Sequence, residues 1–129
     1  MSPSEITAKE FEQWLDSTFI GDPATSREFC QRNLSPDYVR LHAGGGRTDF
    51  DQAVEKVTHF RTICRKWEGK VNFLVQQGNK IAVRYTVNLI FGDSPEQHME
   101  LMFMAERDTQ GRFQNVWELT EPIDESANN

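Results

Sequence analysis

Two polar residues in strand-like segments, a carboxylate and an imidazole, are the strongest candidates for chemistry in this sequence. Glu118 lies between Trp117 and Leu119 in the stretch GRFQNVWELTEP, and His42 ends the stretch DYVRLH. A carboxylate next to an imidazole fixes the tautomer of the ring and stabilises its charged form. Such a pair can move a proton next to a carbonyl group, or activate water, without any cofactor. We therefore take His42 as a candidate base and Glu118 as its orienting partner or as the acid.

Both residues also have an explanation without chemistry. His42 is then a histidine at the end of a strand, bonded to the backbone of the AGGGR loop that follows, and Glu118 is paired with Arg40 for structural reasons only. Tyr38 and Arg40 alternate with His42, so the geometry of a strand puts all three side chains on one side. The sequence leaves the catalytic and the structural explanation open.

The elements that must position these residues follow from hydrophobic periodicity. Apolar residues at three- and four-residue spacings predict helices, and alternating runs bounded by turn residues predict strands. Ser4 is predicted to cap the first helix and Asp49 the third. The predicted helices cover residues 4–20, the segment between Pro23 and Ser35, and 50–64, and the predicted strands cover 37–42, 67–77, 80–91, 97–107 and 111–122.

This order of elements predicts an α+β fold. Three helices with one early strand precede four strands joined by short turns, which favours a curved antiparallel sheet with the helices on one face. At 129 residues the chain is expected to form a single domain, with its core over residues 4–123 and a flexible acidic tail over 124–129.

The facing of the last strand decides whether Glu118 can act inside the protein. If the turn GDSPE pairs Phe91 with Gln97, the apolar positions of both flanking strands fall on one face, which the helices would cover. If the next turn pairs Leu101 with Glu118, the carboxylate lies on that covered face. A slip of one residue would put Glu118 in solvent, and the sequence leaves both registers open.

Under the inward register, several large apolar side chains fall on the outer face of the sheet. An exposed apolar patch of this kind is typical of an association surface. We therefore expect a homodimer, and the interface residues that we predict are Ile90, Met102, Met104, Trp117 and Leu119.

The charge and hydropathy of the chain argue against several classes of partner. The 14 basic and 20 acidic residues give a net charge of −6, whereas nucleic-acid binding needs a concentrated basic surface. No apolar run is long enough to span a bilayer, and the first twenty residues carry no secretory signal. We therefore expect neither nucleic acid nor membrane as a partner, and a cytoplasmic location.

Cysteine and histidine spacing does not indicate a metal site. Cys30 and Cys64 lack CxxC spacing and are predicted to be free thiols, although a disulfide between them stays open. His59 and His98 are expected at the surface. Because the three histidines show no metal-ligand spacing, we predict no metal and no cofactor.

The order of elements, the AGGGR loop after the first strand and the closing stretch GRFQNVWEL together resemble the nuclear-transport-factor-2-like superfamily. Its SnoaL-like branch, with polyketide cyclases and steroid-isomerase-like proteins, is the most similar. The resemblance covers about residues 4–123. It implies a cone-shaped, cystatin-like roll in which three helices and a strongly curved antiparallel sheet enclose a pocket. It also implies that Glu118 faces that pocket, and that His42 stands where SnoaL-like members often have a histidine.

Two activities of the superfamily are not expected here. Trp14 and Phe103 match the positions of the oxyanion-binding Tyr and Asp in steroid-isomerase-like members, and neither residue donates a hydrogen bond as those groups do. The Arg and two Asp of epoxide-hydrolase-like members are not reproduced either.

The resemblance and the inward register together predict a pocket for a small apolar molecule. The leading hypothesis is a cofactor-free isomerase, cyclase, lyase or hydrolase that uses His42 and Glu118. The alternatives are a non-catalytic carrier or sensor, and a dimerisation module. The predicted pocket lining comprises Trp14, Tyr38, Arg40, Tyr85, Val87, Leu101, Phe103, Val116 and Thr120.

Overall fold

The computed structural model describes residues 4–123 and confirms the α+β fold. The tail predicted over 124–129 lies outside the described residues. The helices are α1 (Ala8–Phe19), α2 (Ser26–Asn33) and α3 (Phe50–Ile63), with a 3₁₀ turn (Pro23–Thr25) before α2. The strands are β1 (Leu34–His42), β2 (Arg47–Asp49), β3 (Cys64–Gln77), β4 (Lys80–Phe91), β5 (Gln97–Arg107) and β6 (Phe113–Pro122).

The six strands form one sheet in the order β2-β1-β6-β5-β4-β3. Strands β3 to β6 form the predicted antiparallel meander. Strand β1 lies parallel to β6 and antiparallel to the short β2, which has no counterpart among the predicted strands. The sheet is therefore mixed rather than wholly antiparallel, and the first strand lies directly against the last.

The register of the β4–β5 hairpin is shifted by two residues from the prediction. Gln97 pairs with Leu89, whereas the predicted partner is Phe91. Because side chains alternate with a period of two, a two-residue shift keeps every side chain on its predicted face. The apolar positions of both strands accordingly face the helices, with Tyr85 and Phe103 almost fully buried.

The β5–β6 register is also shifted by two residues, for two separate reasons. The turn pairs Arg107 with Phe113, which contributes one residue, and a β-bulge next to Arg107 contributes the other. Glu118 therefore pairs with Phe103, whereas the predicted partner is Leu101. The two contributions together preserve the inward facing of Glu118.

Two of the three helices begin with a capping box. Thr7 and Glu10 exchange side-chain-to-backbone hydrogen bonds at the start of α1, and Asp49 and Gln52 do the same at the start of α3. The predicted cap at Ser4 is wrong, because α1 begins at Ala8 and its N-cap is Thr7, whose reciprocal pair with Glu10 fixes the start of the helix. None of the described helices is both long enough and apolar enough to cross a membrane.

The core lies between the inner face of the sheet and the helices, and aromatic rings fill much of it. Phe11 of α1 is fully buried, and its ring centroid lies 5.1 Å from that of Phe103 and 6.2 Å from that of Tyr85. Trp14 packs against Phe113 with a centroid distance of 4.5 Å. Each such ring contributes about 1.5–3 kcal/mol by burial, so α1 is held firmly against the sheet.

Both cysteines are free thiols, as predicted. Cys30 is buried, and this burial raises its pKa to about 11, so the thiol is protonated at neutral pH.

Candidate functional site

A cavity of about 510 Å³ lies between the inner face of the sheet and the helices. This size falls within the roughly 300–1,000 Å³ that is typical of small-molecule sites. Most of the wall is aromatic or aliphatic, and a smaller number of polar side chains interrupt it. The polar lining residues are Thr18, Tyr38, Arg40, His42, Lys56, His59, Tyr85, Glu118 and Thr120.

Strands β1 and β6 carry the candidate catalytic pair to the cavity wall. His42 is the register partner of Glu118 in the parallel pairing of these strands. Tyr38 and Arg40 line the cavity together with His42, as their alternation along β1 requires. The structure therefore brings His42 and Glu118 next to each other on the inner face of the sheet.

The carboxylate of Glu118 is engaged through both oxygens. Arg40 Nη1 lies 3.4 Å from Glu118 Oε2, and the two side chains are only 21% and 18% exposed. The hydroxyl of Thr120 donates a hydrogen bond of 3.2 Å to Oε1. This ion pair is the contact that the structural explanation of Glu118 anticipates.

The imidazole of His42 is held by a threonine rather than by Glu118. Its Nε2 lies 3.1 Å from Oγ1 of Thr48, a fully buried residue of β2. Lys56 of α3 donates a hydrogen bond of 2.6 Å to the same oxygen. No direct hydrogen bond joins His42 to Glu118 in the described structure. Thr48 thus makes the contact with the imidazole that was expected from Glu118, because the Glu118 carboxylate pairs with Arg40.

The charges around His42 favour its neutral form. Burial lowers the pKa of His42 below its ordinary value, and the positive charges of Arg40 and Lys56 lower this pKa further. The negative charge of Glu118 raises the pKa of His42, but by less than burial, Arg40 and Lys56 each lower it. Because an unperturbed histidine titrates near pH ~6.5, the imidazole of His42 is unprotonated at pH 7 and can accept a proton.

Burial shifts two further groups in the cavity wall. It lowers the pKa of Lys56, and the nearby Arg40 charge adds to this effect while Glu118 opposes it. Burial raises the pKa of Tyr38 to about 12, so this phenol stays protonated and can donate a hydrogen bond.

Most of the predicted pocket residues line the cavity. Val116 is the exception: it is buried at 2% exposure but does not line the cavity. The two-residue register shift explains this, because it moves Val116 from its predicted partner Phe103 to Ala105. The predicted residues found in the lining are Trp14, Tyr38, Arg40, Tyr85, Val87, Leu101, Phe103 and Thr120.

Three polar residues near the candidate base were missed or misplaced from sequence. Thr48 lies on β2, a strand too short to leave an alternation pattern. Lys56 follows the cavity-lining Ala53 by three positions on α3, and this spacing could have placed it on the inner side of the helix. His59, expected only at the surface, is exposed and also lines the cavity.

The residues predicted for a dimer interface lie on the outer face of the sheet. Met102, Met104, Trp117 and Leu119 are 47%, 56%, 38% and 41% exposed, and Ile90 is half-buried. His98, half-buried on β5, pairs in register with Asn88 of β4. Over residues 4–123 no group of three or more His, Cys, Asp or Glu side chains is arranged to hold a metal ion.

Comparison with known proteins identifies solved structures of the same fold, but their sequences share little identity with this chain. No family model and no curated protein matches the chain. An LEH-like epoxide hydrolase from M. tuberculosis has a TM-score of 0.64 at 15% identity, covering 88% of this chain and 84% of that one. A candidate SnoaL-like polyketide cyclase from Shewanella denitrificans OS-217 has a TM-score of 0.64 at 9% identity, covering 86% and 90%.

A protein with a ketosteroid isomerase-like fold from Catenulispora acidiphila DSM 44928, solved in complex with trimethylamine, has a TM-score of 0.65 at 9% identity. The match covers 92% of this chain and 85% of that one. At such identities the likeness shows the fold and not the activity. The chain has the nuclear-transport-factor-2-like fold, as the resemblance implied.

Proposed function

We propose that this chain, a domain of nuclear-transport-factor-2-like fold, is a cofactor-independent enzyme that acts on a small, largely apolar molecule by acid–base chemistry. His42 is the proposed base. The observation that carries the proposal is an imidazole on the wall of an apolar cavity, with a carboxylate as its neighbour on the adjacent strand; the lowered pKa of His42 agrees with a role as base.

The hydrogen bond of His42 suggests how the base is presented. In the proposed reactive tautomer, Nε2–H donates to Thr48 Oγ1, and Nδ1 is the nitrogen that accepts a proton from the substrate. Thr48 is fully buried and also accepts from Lys56, so it is a rigid anchor for the ring. Glu118 then stabilises the imidazolium that forms, because its charge favours the protonated ring.

The lining of the cavity supports the reaction classes named from the sequence. Its walls suit an apolar substrate, and proton transfer by one positioned group accelerates a reaction by about 10²–10⁴-fold. Isomerisation, cyclisation, elimination and hydrolysis all use such a transfer. Trp14 and Phe103 stand where an oxyanion-binding Tyr and Asp are expected in steroid-isomerase-like members, and their rings pack 5.7 Å apart. Steroid isomerisation is therefore not the activity that we propose.

Exchange of an acidic C–H hydrogen with D₂O tests the base without knowledge of the substrate. We expect the protein to catalyse deuterium exchange at the α-carbon of 2-tetralone, an apolar ketone, and His42→Ala to lower this rate by about 10²–10⁴-fold. His59→Ala is the matched control, since His59 lines the same cavity but has no contact with Thr48. Unchanged exchange in His42→Ala would refute the assignment of the base.

A non-catalytic carrier is the second candidate, and one observation favours it. Glu118 is already satisfied by Arg40 and Thr120, which is enough to explain a carboxylate in this wall without chemistry. A carrier would bind 2-tetralone without accelerating exchange. Phe103→Ala would then weaken binding, because it removes a ring from the cavity wall.

We also propose that the outer face of the sheet forms a homodimer. All but Ile20 of the large apolar side chains that are exposed in the described structure lie on this face. Cross-strand neighbours make them contiguous, since Leu41 pairs with Trp117 and Trp117 with Met104. An apolar strip that crosses several strands is typical of a surface that is covered in the functional protein.

Sedimentation equilibrium tests this assembly. Met104→Glu places a charge in the centre of the apolar strip, so we expect it to convert dimer into monomer. Lys9→Glu on the exposed side of α1 is the control and should leave the mass unchanged. A monomeric native protein at ~100 µM would exclude this dimer, because interfaces of standard size reach far lower dissociation constants.

A further inference from the structure

We infer that the ligand of the cavity is an amphipathic monocarboxylic acid, whose carboxylate lies between Lys56 and Arg40 while its apolar body fills the aromatic part of the cavity. This inference rests on the proposed small-molecule function and names its substrate class. The sequence predicts only an apolar molecule, since Lys56 was not recognised as part of the site.

The ionisable groups of the cavity wall carry a positive surplus. Arg40 and Lys56 are cationic, His42 and His59 are imidazoles, and Glu118 is the one carboxylate in the lining. Two fixed positive charges thus face one negative charge, although the whole chain has a net charge of −6. A positive surplus inside the cavity of a negatively charged protein points to a ligand that supplies the missing negative charge.

Lys56 is the cation of the cavity wall that has no carboxylate within ion-pair distance in the described structure. Its ammonium group donates to Thr48 Oγ1 and forms no ion pair with any described carboxylate. Glu118 contacts Arg40 and Thr120 and makes no ion pair with Lys56 in the described structure, although its negative charge raises the pKa of Lys56. An ammonium group at an apolar wall with a single hydroxyl partner is poorly compensated, and the lowered pKa of Lys56 reflects that environment.

Arg40 has donor capacity that Glu118 does not use. Its Nη1 makes the contact with Glu118, while its Nη2 has no hydrogen-bond acceptor among the described residues and is the donor left for a ligand. Guanidinium and ammonium groups together bind carboxylates through charge-assisted hydrogen bonds. Lys56 donates to Thr48, and Thr48 is the cross-strand partner of Arg40, so both charges lie at one end of the site.

The single excess positive charge of the cavity wall favours a carboxylate over a phosphate as the anionic group of the ligand. A carboxylate brings one negative charge, which balances the single excess positive charge of the wall. A phosphate ester brings about −1.5 to −2 at neutral pH and would leave negative charge beside Glu118. The remainder of the lining is dominated by rings such as Trp14, Phe60 and Trp67, which favour an apolar or aromatic body.

A matched pair of ligands tests this inference by isothermal titration calorimetry. 1-Naphthaleneacetate and 1-naphthaleneacetamide have the same aromatic body, and only the first carries a charge. We expect the acetate to bind at least about tenfold more tightly, as one charge-assisted hydrogen bond provides. Lys56→Met should remove this advantage and leave the affinity for the amide within about twofold. Lys9→Met, outside the cavity, should behave as the native protein.

The outcomes separate this inference from the proposed function. Equal affinity of the native protein for acetate and amide would overturn the carboxylate assignment and leave a small-molecule pocket in place. An acetate preference that survives Lys56→Met would also overturn it. If neither compound binds at millimolar concentration, the pocket itself, and with it the proposed function, is refuted. Lys56→Gln, which keeps a hydrogen-bond donor for Thr48, provides a second neutral variant with the same expected loss of preference should Lys56→Met fail to fold.

Discussion

Replacement of Gly69 by alanine should destabilise the protein strongly, because the side chain of Tyr85 occupies the space of the missing methyl group. A Cβ atom on Gly69 would lie 1.5 Å from the Tyr85 hydroxyl oxygen and 2.0 Å from its Cζ. The φ angle of Gly69 is not positive, so this position requires space rather than an unusual backbone conformation. It faces the inner side of β3, opposite Val87 of β4.

The ring of Tyr85 cannot move aside without loss. It is 1% exposed, its hydroxyl accepts a 2.8 Å hydrogen bond from Trp67 Nε1, and it packs against Phe11. An extra methyl group in a packed core costs about 1–3 kcal/mol, and a buried donor left unpaired costs about 1–3 kcal/mol. We expect a total loss of about 3 kcal/mol, which lowers the Tm of a domain of this length by about 10 °C.

Urea and thermal denaturation of four proteins measure this effect. They are the native chain, Gly69→Ala, Tyr85→Leu and the double variant. Leucine lacks the Tyr85 atoms that collide with the new methyl group, so in that background Gly69→Ala should cost less than about 1 kcal/mol. Lys70→Ala, at the exposed neighbouring position, is the control and should stay within about 0.5 kcal/mol of the native chain.

Two results would refute the reasoning. One is a Gly69→Ala protein of native stability. The other is an equal loss in the tyrosine and leucine backgrounds, because a steric conflict with Tyr85 predicts strong coupling between these two positions.

Two further predictions follow from the contacts around the site. Lys56→Met should raise the pKa of His42, because it removes a positive charge, and Glu118→Gln should lower this pKa, because it removes a negative charge. A pH titration of the imidazole NMR signals measures both changes. Shifts in the opposite directions would contradict the charge assignment. Asp49→Ala should lower the free energy of unfolding by about 1 kcal/mol in urea denaturation, because it removes the capping box of α3. The control Asp51→Ala, in the exposed first turn of the same helix, should lower it by less than about 0.5 kcal/mol. Equal losses would refute the role of the cap.

The boundaries and the facing of β4 and β5 could be predicted because they depend on local patterns, whereas β1 and β3 begin three residues before their predicted starts. The predicted strands 80–91 and 97–107 coincide with β4 and β5. Their registers were wrong by two residues, yet the inward side of each strand was right. Facing depends only on whether a position is odd or even, and a shift of two residues does not change that. The residue pattern of β6 left the facing of Glu118 open, because a slip of one residue would have reversed it, and the family resemblance favoured the inward position.

The partner of His42 could not be predicted in the same way. Arg40 was one of the partners considered for Glu118 and does pair with it, but nothing in the sequence indicated that Thr48 holds the imidazole of His42. Thr48 comes from a three-residue strand with no detectable periodicity. Lys56 was not recognised, although its three-residue spacing from Ala53 on α3 is compatible with the inner side of that helix.

The amino-acid sequence by itself thus determined the order of the helices and of the long strands, the inner and outer faces of β4 and β5, and the polar candidates on β1 and β6. Those features depend on side-chain spacing along one segment. The tertiary structure alone decided that β2 and α3 bring Thr48 and Lys56 to His42, and that the cavity carries a positive surplus. Contacts between segments depend on register and on helix packing, and neither leaves a signature in the spacing of a single segment.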